Sequence, residues 1–162
     1  MAEQKEYFQN YMPGNVCYGC SVDNPNGLQI KSYWEGDEAI CLWQAKSYHH
    51  GWPGLMNGGI IASLVDCHCM CTAMAHAYKI EGRSLDSEPH YKYATGTMTI
   101  KYVQPTSNDL PVLLKARVIE VKGKKTTLAC EVYSGDQVTV TAEVIAIRVF
   151  DSSKEVKGVF VA

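Results

Sequence analysis

The sequence predicts an α+β fold in which one long helix lies against a curved antiparallel sheet of about six strands. Three observations carry this. Residues 58–77, GGIIASLVDCHCMCTAMAHA, run for twenty residues without a Lys or Arg and are apolar on almost every side of a helix. Four segments in the second half alternate apolar and polar residues with a period of two. Two short turn sequences join the last three of those segments. A helix that is apolar all round must be covered on most sides, so a strongly curved sheet is expected to wrap one flank and a second copy of the chain to cover another.

In chain order, residues 1–26 read as an irregular segment, because YMPGNVCYGC and SVDNPNG supply turn residues. Leu28, Ile30 and Tyr33 begin a strand over about 27–34. Trp34 to Asp37 reads as a turn and EAICLWQA, 38–45, as the second strand. A loop rich in His, Gly and Pro follows over 46–56. The helix is expected from about Asn57 to Tyr78, and the polar run 79–94 is expected to be a long connection. TGTMTIKYV places Met98, Ile100 and Tyr102 on one face and Thr97, Thr99 and Lys101 on the other. VLLKARVIEV, TTLACEVY and VTVTAEVIAIRVF continue this habit. KGKK at 122–125 and SGDQ at 134–137 are hairpin turns, so the last three strands form a meander.

A length of 162 residues suits a single domain spanning 1–162. A formal net charge of -2 lacks the basic footprint of a nucleic-acid binder, and none is expected. The helical stretch is long enough to span a bilayer, but Asp66, His68 and His76 within it make that costly, so no membrane partner is expected. Seven cysteines and a polar N-terminus point to a reduced, cytoplasmic setting. Cys17-x-x-Cys20 is a single pair without a second at matched spacing, so no metal site is expected, and the cysteines read as small buried thiols. Phosphate-loop, dinucleotide and Gly-x-Ser-x-Gly motifs are absent from the sequence.

The candidate chemistry lies around the helix. Asp66 is the one carboxylate between Lys46 and Ile80. A lone charge among apolar neighbours either finds a histidine partner or serves a function. Asn57-Gly58-Gly59 opens the helix. Asn57 is a good N-cap, and Gly58 and Gly59 leave backbone N–H groups open to close approach at the positive end of the helix dipole. That combination either caps the helix or stabilises a developing oxyanion. Asp66 is eight residues beyond Gly58, a little over two turns, and is expected to reach a carbonyl held near the helix start. His49 and His50, in HHGWPG just before the entrance, either sit in a rigid turn or line a pocket, His50 being nearer the site in sequence.

CYGCSVDNPNGLQI, HHGWPGLMNGGIIASLVD and TGTMTIKYVQPT together resemble hotdog-fold acyl-CoA thioesterases, in the branch of the phenylacetate-pathway and 4-hydroxybenzoyl-CoA enzymes. The resemblance runs from about Cys17 to Phe150. Its most specific part is PGLMNGGIIASLVD, similar to the family's P-G-x-x-H-G-G-x-x-x-x-x-x-D. The resemblance implies the hotdog fold, a homodimer or a dimer of dimers (a homotetramer), and active sites at the subunit interface. It implies an acyl-CoA or acyl-carrier-protein thioester as substrate and no cofactor beyond the CoA that the substrate carries. Asp66 falls on the carboxylate that attacks or activates water, and Gly58 on the N–H that polarises the carbonyl. Thr95 falls on a Ser/Thr contributed by the other subunit. Asn57 stands where the family most often has His. Gly51, next to His50, stands where many members have Asn or Gln.

Thioester hydrolysis is the leading expectation, with Asn57, Thr95 and His50 assisting Asp66 and Gly58. A 3-hydroxyacyl-thioester dehydratase or hydratase, with His49 or His50 as base and Asp66 as acid, is the alternative. A non-catalytic acyl-CoA-binding module is the third.

Overall fold

The computed structural model describes residues 4–154, so the first three and last eight positions of the expected 1–162 domain lie outside the described residues. Six strands and one long helix follow in the order β1 (Tyr33–Glu35), β2 (Glu38–Trp43), α1 (Gly58–Ile80), β3 (Tyr91–Tyr102), β4 (Val112–Lys122), β5 (Lys125–Ser134) and β6 (Gln137–Asp151). The strands form one antiparallel sheet in the order β1-β2-β4-β5-β6-β3. The meander of β4, β5 and β6 stands as read, with Gly123 and Gly135 at positive φ in its two turns.

Helix α1 lies on the inner face of this sheet. Leu64, Val65, Cys69, Cys71 and Ala73 are buried against Val112, Leu114, Leu128, Val132, Val140 and Val144 in one cluster. The length and hydropathy of α1 would let it cross a membrane, yet here its apolar surface is spent on the sheet. Ala62, Ser63, Asp66 and Met70 remain half-buried, a stripe at helical spacing left open by the sheet.

Helix boundaries have local causes. The Asn57 carboxamide oxygen accepts from Gly59 N–H at 2.8 Å and Ile60 N–H at 3.2 Å, a regular N-cap. At the other end Gly82, at φ 66°, lets its N–H reach Lys79 C=O and the Arg83 N–H reach Tyr78 C=O, each at 3.1 Å. That is a Schellman stop, and it carries the helix two residues past the expected Tyr78.

Three expectations at element edges change. The strand expected over 27–34 shrinks to Tyr33–Glu35, and Trp34 and Glu35 belong to that strand, leaving Gly36 and Asp37 as the turn. Leu28 and Ile30 are buried as their alternation suggests, but their N–H groups bond back to Tyr18 C=O and Gly19 C=O at 2.9 and 3.0 Å. Gln29 between them is left-handed at φ 51°. The apolar spacing therefore records a loop seated on the core, not a strand. The second strand ends at Trp43, where the indole N–H donates to Leu28 C=O at 2.8 Å. The connection expected over 79–94 is shorter, because Tyr91 to Ala94 already pair with the far end of β6.

A buried polar chain ties the N-terminal segment to the core. Gln9 and Ser32 bond reciprocally, Ser32 Oγ meets His68 Nδ1 at 2.8 Å, and His68 Nε2 meets Ala39 C=O at 3.0 Å. The N-terminal loop also packs closely on α1. A Cβ added at Gly19 would lie 2.2 Å from Cys67 Sγ and 3.3 Å from Cys67 Cβ. Gly19→Ala therefore forces Cys67 out of its rotamer, and is expected to lower unfolding free energy by about 1–3 kcal/mol, the range for overpacking a tight site. Urea unfolding measures this, and an unchanged midpoint would show that the loop yields instead.

Candidate active site

Two groups of residues stand out, and both are positioned by α1. At its start, the cap described above consumes the Gly59 and Ile60 N–H groups, and Ile61 N–H reaches Asn57 C=O at 3.1 Å. Gly58 N–H has no acceptor among the described residues. Gly58 lines an open cavity of about 720 Å³ together with Asn57, Trp52, Ile61, Tyr102 and Pro105. Tyr102 donates its hydroxyl to Gly58 C=O at 2.7 Å, fixing the first peptide of the helix. Trp52 is 78% exposed at the rim of this space.

The second group is Asp66 with Thr95, whose hydroxyl donates to the carboxylate Oδ1. The alternation of β3 would place Thr95 on the outer face with Thr97 and Thr99. The register with β6 slips between Thr95 and Thr97, so that Thr95 pairs with Ala146 while Thr97 pairs with Ile145. Ala146, like Val144 opposite Met98, is buried. The extra residue, Gly96, thus shifts Thr95 onto the inner face where α1 passes. Only glycine suits this bulge, since a Cβ there would lie 2.9 Å from Ile147 Cγ1 and 3.2 Å from Ile145 C=O.

The resemblance implied Thr95 from the other subunit. The structure instead joins Thr95 to Asp66 of its own chain. The expectation that Asp66 reaches a carbonyl bound at Gly58 also changes. Eight residues at about 1.5 Å each separate the two by roughly 12 Å along the helix, and neither Asp66 nor Thr95 lines the Gly58 cavity.

The histidines before the helix divide. His49 is buried between Trp43 and Tyr48, with ring centroids 5.1 and 4.6 Å away. Its Nδ1 accepts from Lys46 N–H at 2.9 Å, and its carbonyl holds Asn57 N–H at 2.8 Å. Burial first, and then the Lys46 charge, push its pKa down. His49 is therefore a neutral brace for the cap. His50 is exposed and bridges Met56 through its backbone, and the structure places it outside the residues lining the Gly58 cavity. Tyr102 was missed as a site residue. Its place in the alternation suggested packing, and only the fold shows that its hydroxyl meets the helix start.

None of Asn57, Gly58, Asp66, Thr95 and His50 belongs to a metal-ligand cluster among the described residues.

Comparison with known proteins agrees with this layout. The chain is 27% identical over 108 residues to the acyl-coenzyme A thioesterase THEM4 of Xenopus laevis, covering 67% of this chain and 43% of that protein. It is 26% identical over 120 residues to the acyl-coenzyme A thioesterase THEM4 of Bos taurus, covering 72% and 44%. The chain thus spans less than half the length of these curated relatives. A solved thioesterase superfamily protein from Shewanella loihica PV-4 matches with a TM-score of 0.64 and 27% identity, covering 83% of this chain and 94% of that one. An uncharacterized protein from Pyrococcus horikoshii shares the fold, with a TM-score of 0.58 and 20% identity over 74% of this chain and 82% of that one. The family model of the thioesterase superfamily matches residues 53–148, more than half of the 162 residues. With its six-stranded sheet around one long helix, the chain belongs to that superfamily and has the hotdog fold.

Proposed function

We propose that this chain hydrolyses an acyl-CoA thioester to a free acid and CoA, in a site assembled from two copies. The observation that carries the reading is the unspent Gly58 N–H at the start of a helix that also bears the Asp66–Thr95 pair. An oxyanion donor must sit about 2.7–3.1 Å from the developing charge, and a reacting oxygen about 3–3.5 Å from the carbonyl carbon. The roughly 12 Å along α1 exceeds what one thioester carbonyl spans. Meeting both limits therefore calls for Gly58 of one copy and Asp66 of a second.

Strand β3 suits that pairing. It is twelve residues long and, among the described residues, stands at the edge of the sheet beside β6, and an edge strand is a template for pairing with another β3. Asp66 and Thr95 lie beside that edge. A twofold axis there gives two equivalent sites, and the half-buried stripe of α1 is covered at the same time.

In this reading Gly58 N–H, backed by about half a positive charge of the helix dipole, takes up the charge on the carbonyl oxygen. The Asp66 carboxylate attacks the carbonyl carbon or draws a proton from water that does so, and the C–S bond breaks to release the CoA thiolate. Thr95 orients the carboxylate. Asn57 keeps the first turn rigid and leaves Gly58 as its free donor. His50 stays in the proposal only as the neighbour of Gly51, which lines the cavity. No cofactor takes part beyond the CoA of the substrate. The seven free thiols support a reducing, cytoplasmic setting. The dehydratase alternative loses His49, whose Nδ1 is already spent.

The test is thiol release across a panel of acyl-CoA substrates by wild type and Asp66→Asn, with enoyl absorbance followed in parallel. Loss of enoyl absorbance without thiol release would favour the lyase. Thr95→Ala is expected to lower kcat about tenfold, roughly 1.4 kcal/mol, with KM little changed, while Thr95→Ser keeps most of the rate. Equal losses in Thr95→Ala and Thr95→Ser would mean that the hydroxyl is not what matters.

A further inference from the structure

The sulfur atoms of Cys17, Cys20 and Cys67 all lie within 4.8 Å of one another. Cys17 Sγ and Cys67 Sγ are 3.6 Å apart, while the Cys71 thiol, one turn beyond Cys67, donates to Met12 Sδ at 3.6 Å and completes a set of four once it turns from that contact. Four sulfurs bound to one Zn²⁺ at about 2.3 Å sit about 3.8 Å apart at the corners of a tetrahedron, close to the 3.6 Å seen here. Two of the three gathered sulfurs come from a loop as Cys17-x-x-Cys20 and one from α1, where Cys71 follows Cys67 at i+4 on the same face and is the fourth ligand of the set. The sequence alone did not suggest this, because the second pair has helical spacing and its partner loop lies 47 residues upstream from Cys20 to Cys67.

The surroundings suit thiolates. Gly19 N–H donates to Cys17 Sγ at 3.3 Å, and the Asn15 amide donates to Cys20 Sγ at 3.4 Å. Such donors to ligand sulfur form the outer shell of metal–thiolate sites. Gly19 also has no side chain in the space that Cys67 Sγ occupies. All seven cysteines are free thiols, so the cluster is not committed to disulfides.

We propose that Cys17, Cys20, Cys67 and Cys71 bind one thiophilic divalent cation of the zinc class, as a structural staple between the N-terminal segment and α1. Binding forms four metal–sulfur bonds and releases four thiol protons to solvent, with no change of oxidation state. An all-sulfur set, with Cys17 half-buried and the others deeper, favours such an ion over Mg²⁺ or Ca²⁺. The staple pins the helix at the residue next to Asp66, so it holds the carboxylate's position without joining the chemistry.

The test uses the full chain purified under reductant. Metal analysis is expected to find one zinc per chain. After removal of the metal by chelator, titration with CoCl₂ is expected to restore one equivalent, with thiolate-to-cobalt charge transfer and the intense visible bands of a tetrahedral site. Cys20→Ser and Cys71→Ser are expected to weaken binding by more than about a hundredfold, beyond the effect of outer-shell changes, while Cys130→Ser keeps it. The wild-type titration needs no variant to fold. Folded, reduced wild type that takes up neither Zn²⁺ nor Co²⁺ would overturn the proposal. So would full binding by both serine variants, or a Cys17–Cys67 disulfide that persists under reductant. Metal uptake is read independently of thioester hydrolysis, so failure of either reading leaves the other standing.

Discussion

Asp66→Asn is expected to lower kcat/KM for the proposed acyl-CoA hydrolysis by about 10²–10⁴-fold, the span for loss of a positioned acid–base or nucleophilic carboxylate. That corresponds to roughly 2.7–5.4 kcal/mol of transition-state stabilisation. The amide matches the carboxylate in shape and can still accept the Thr95 hydroxyl, so the fold is expected to persist with little change in Tm. The loss is expected mainly in kcat, because the role proposed for the carboxylate is at the reacting carbon and not on the CoA moiety. Thiol release under saturating substrate reads it directly. Rates for Asp66→Asn within twofold of wild type would remove Asp66 from the chemistry and, with it, the two-copy site.

Acid is expected to begin destabilising this protein above the range in which carboxylates titrate. His68 is fully buried, and burial pushes its pKa down to about 4, only partly offset by its bond to Ala39 C=O. In the unfolded chain the same imidazole titrates near 6.5. Because the folded value is the lower one, the unfolded state binds the proton more readily. The contribution of His68 is therefore fully present above about pH 6.5 and is lost as the pH falls toward 4. At 1.36 kcal/mol per pH unit, the whole window amounts to about 3 kcal/mol. His49 and His76 are pushed the same way, mainly by burial, so both add to the slope in the same direction. Urea unfolding from pH 7.5 to 4.5 measures the curve. A stability that stays flat across that range, or an imidazole resonance of His68 titrating near 6.5, would contradict the buried polar chain described above.

The fold was legible because its signals are periodic. An all-round apolar stretch behind Asn-Gly-Gly, and alternating strands separated by Lys-Gly-Lys-Lys and Ser-Gly-Asp-Gln, leave few arrangements that bury both. The helix dipole site at Gly58 and the isolated Asp66 were legible for the same reason, as breaks in an apolar pattern. The strand expected at 27–34 failed because alternation reports burial and not hydrogen-bond partners. Leu28 and Ile30 are buried while their N–H groups serve the N-terminal loop. The role of Tyr102 and the convergence of Cys17, Cys20 and Cys67 were not legible, since both depend on pairs distant in sequence.

The bulge at Gly96 has a consequence for variation in this chain. Thr95, Thr97 and Thr99 are identical in type and close in sequence, yet only the first meets Asp66. What distinguishes it is a count of one residue. Removing Gly96 would leave every side chain of the strand intact while turning Thr95 away from α1, whereas exchanging Thr97 or Thr99 leaves the contact untouched. Insertion and deletion in this strand are thus more dangerous to the site than most substitutions.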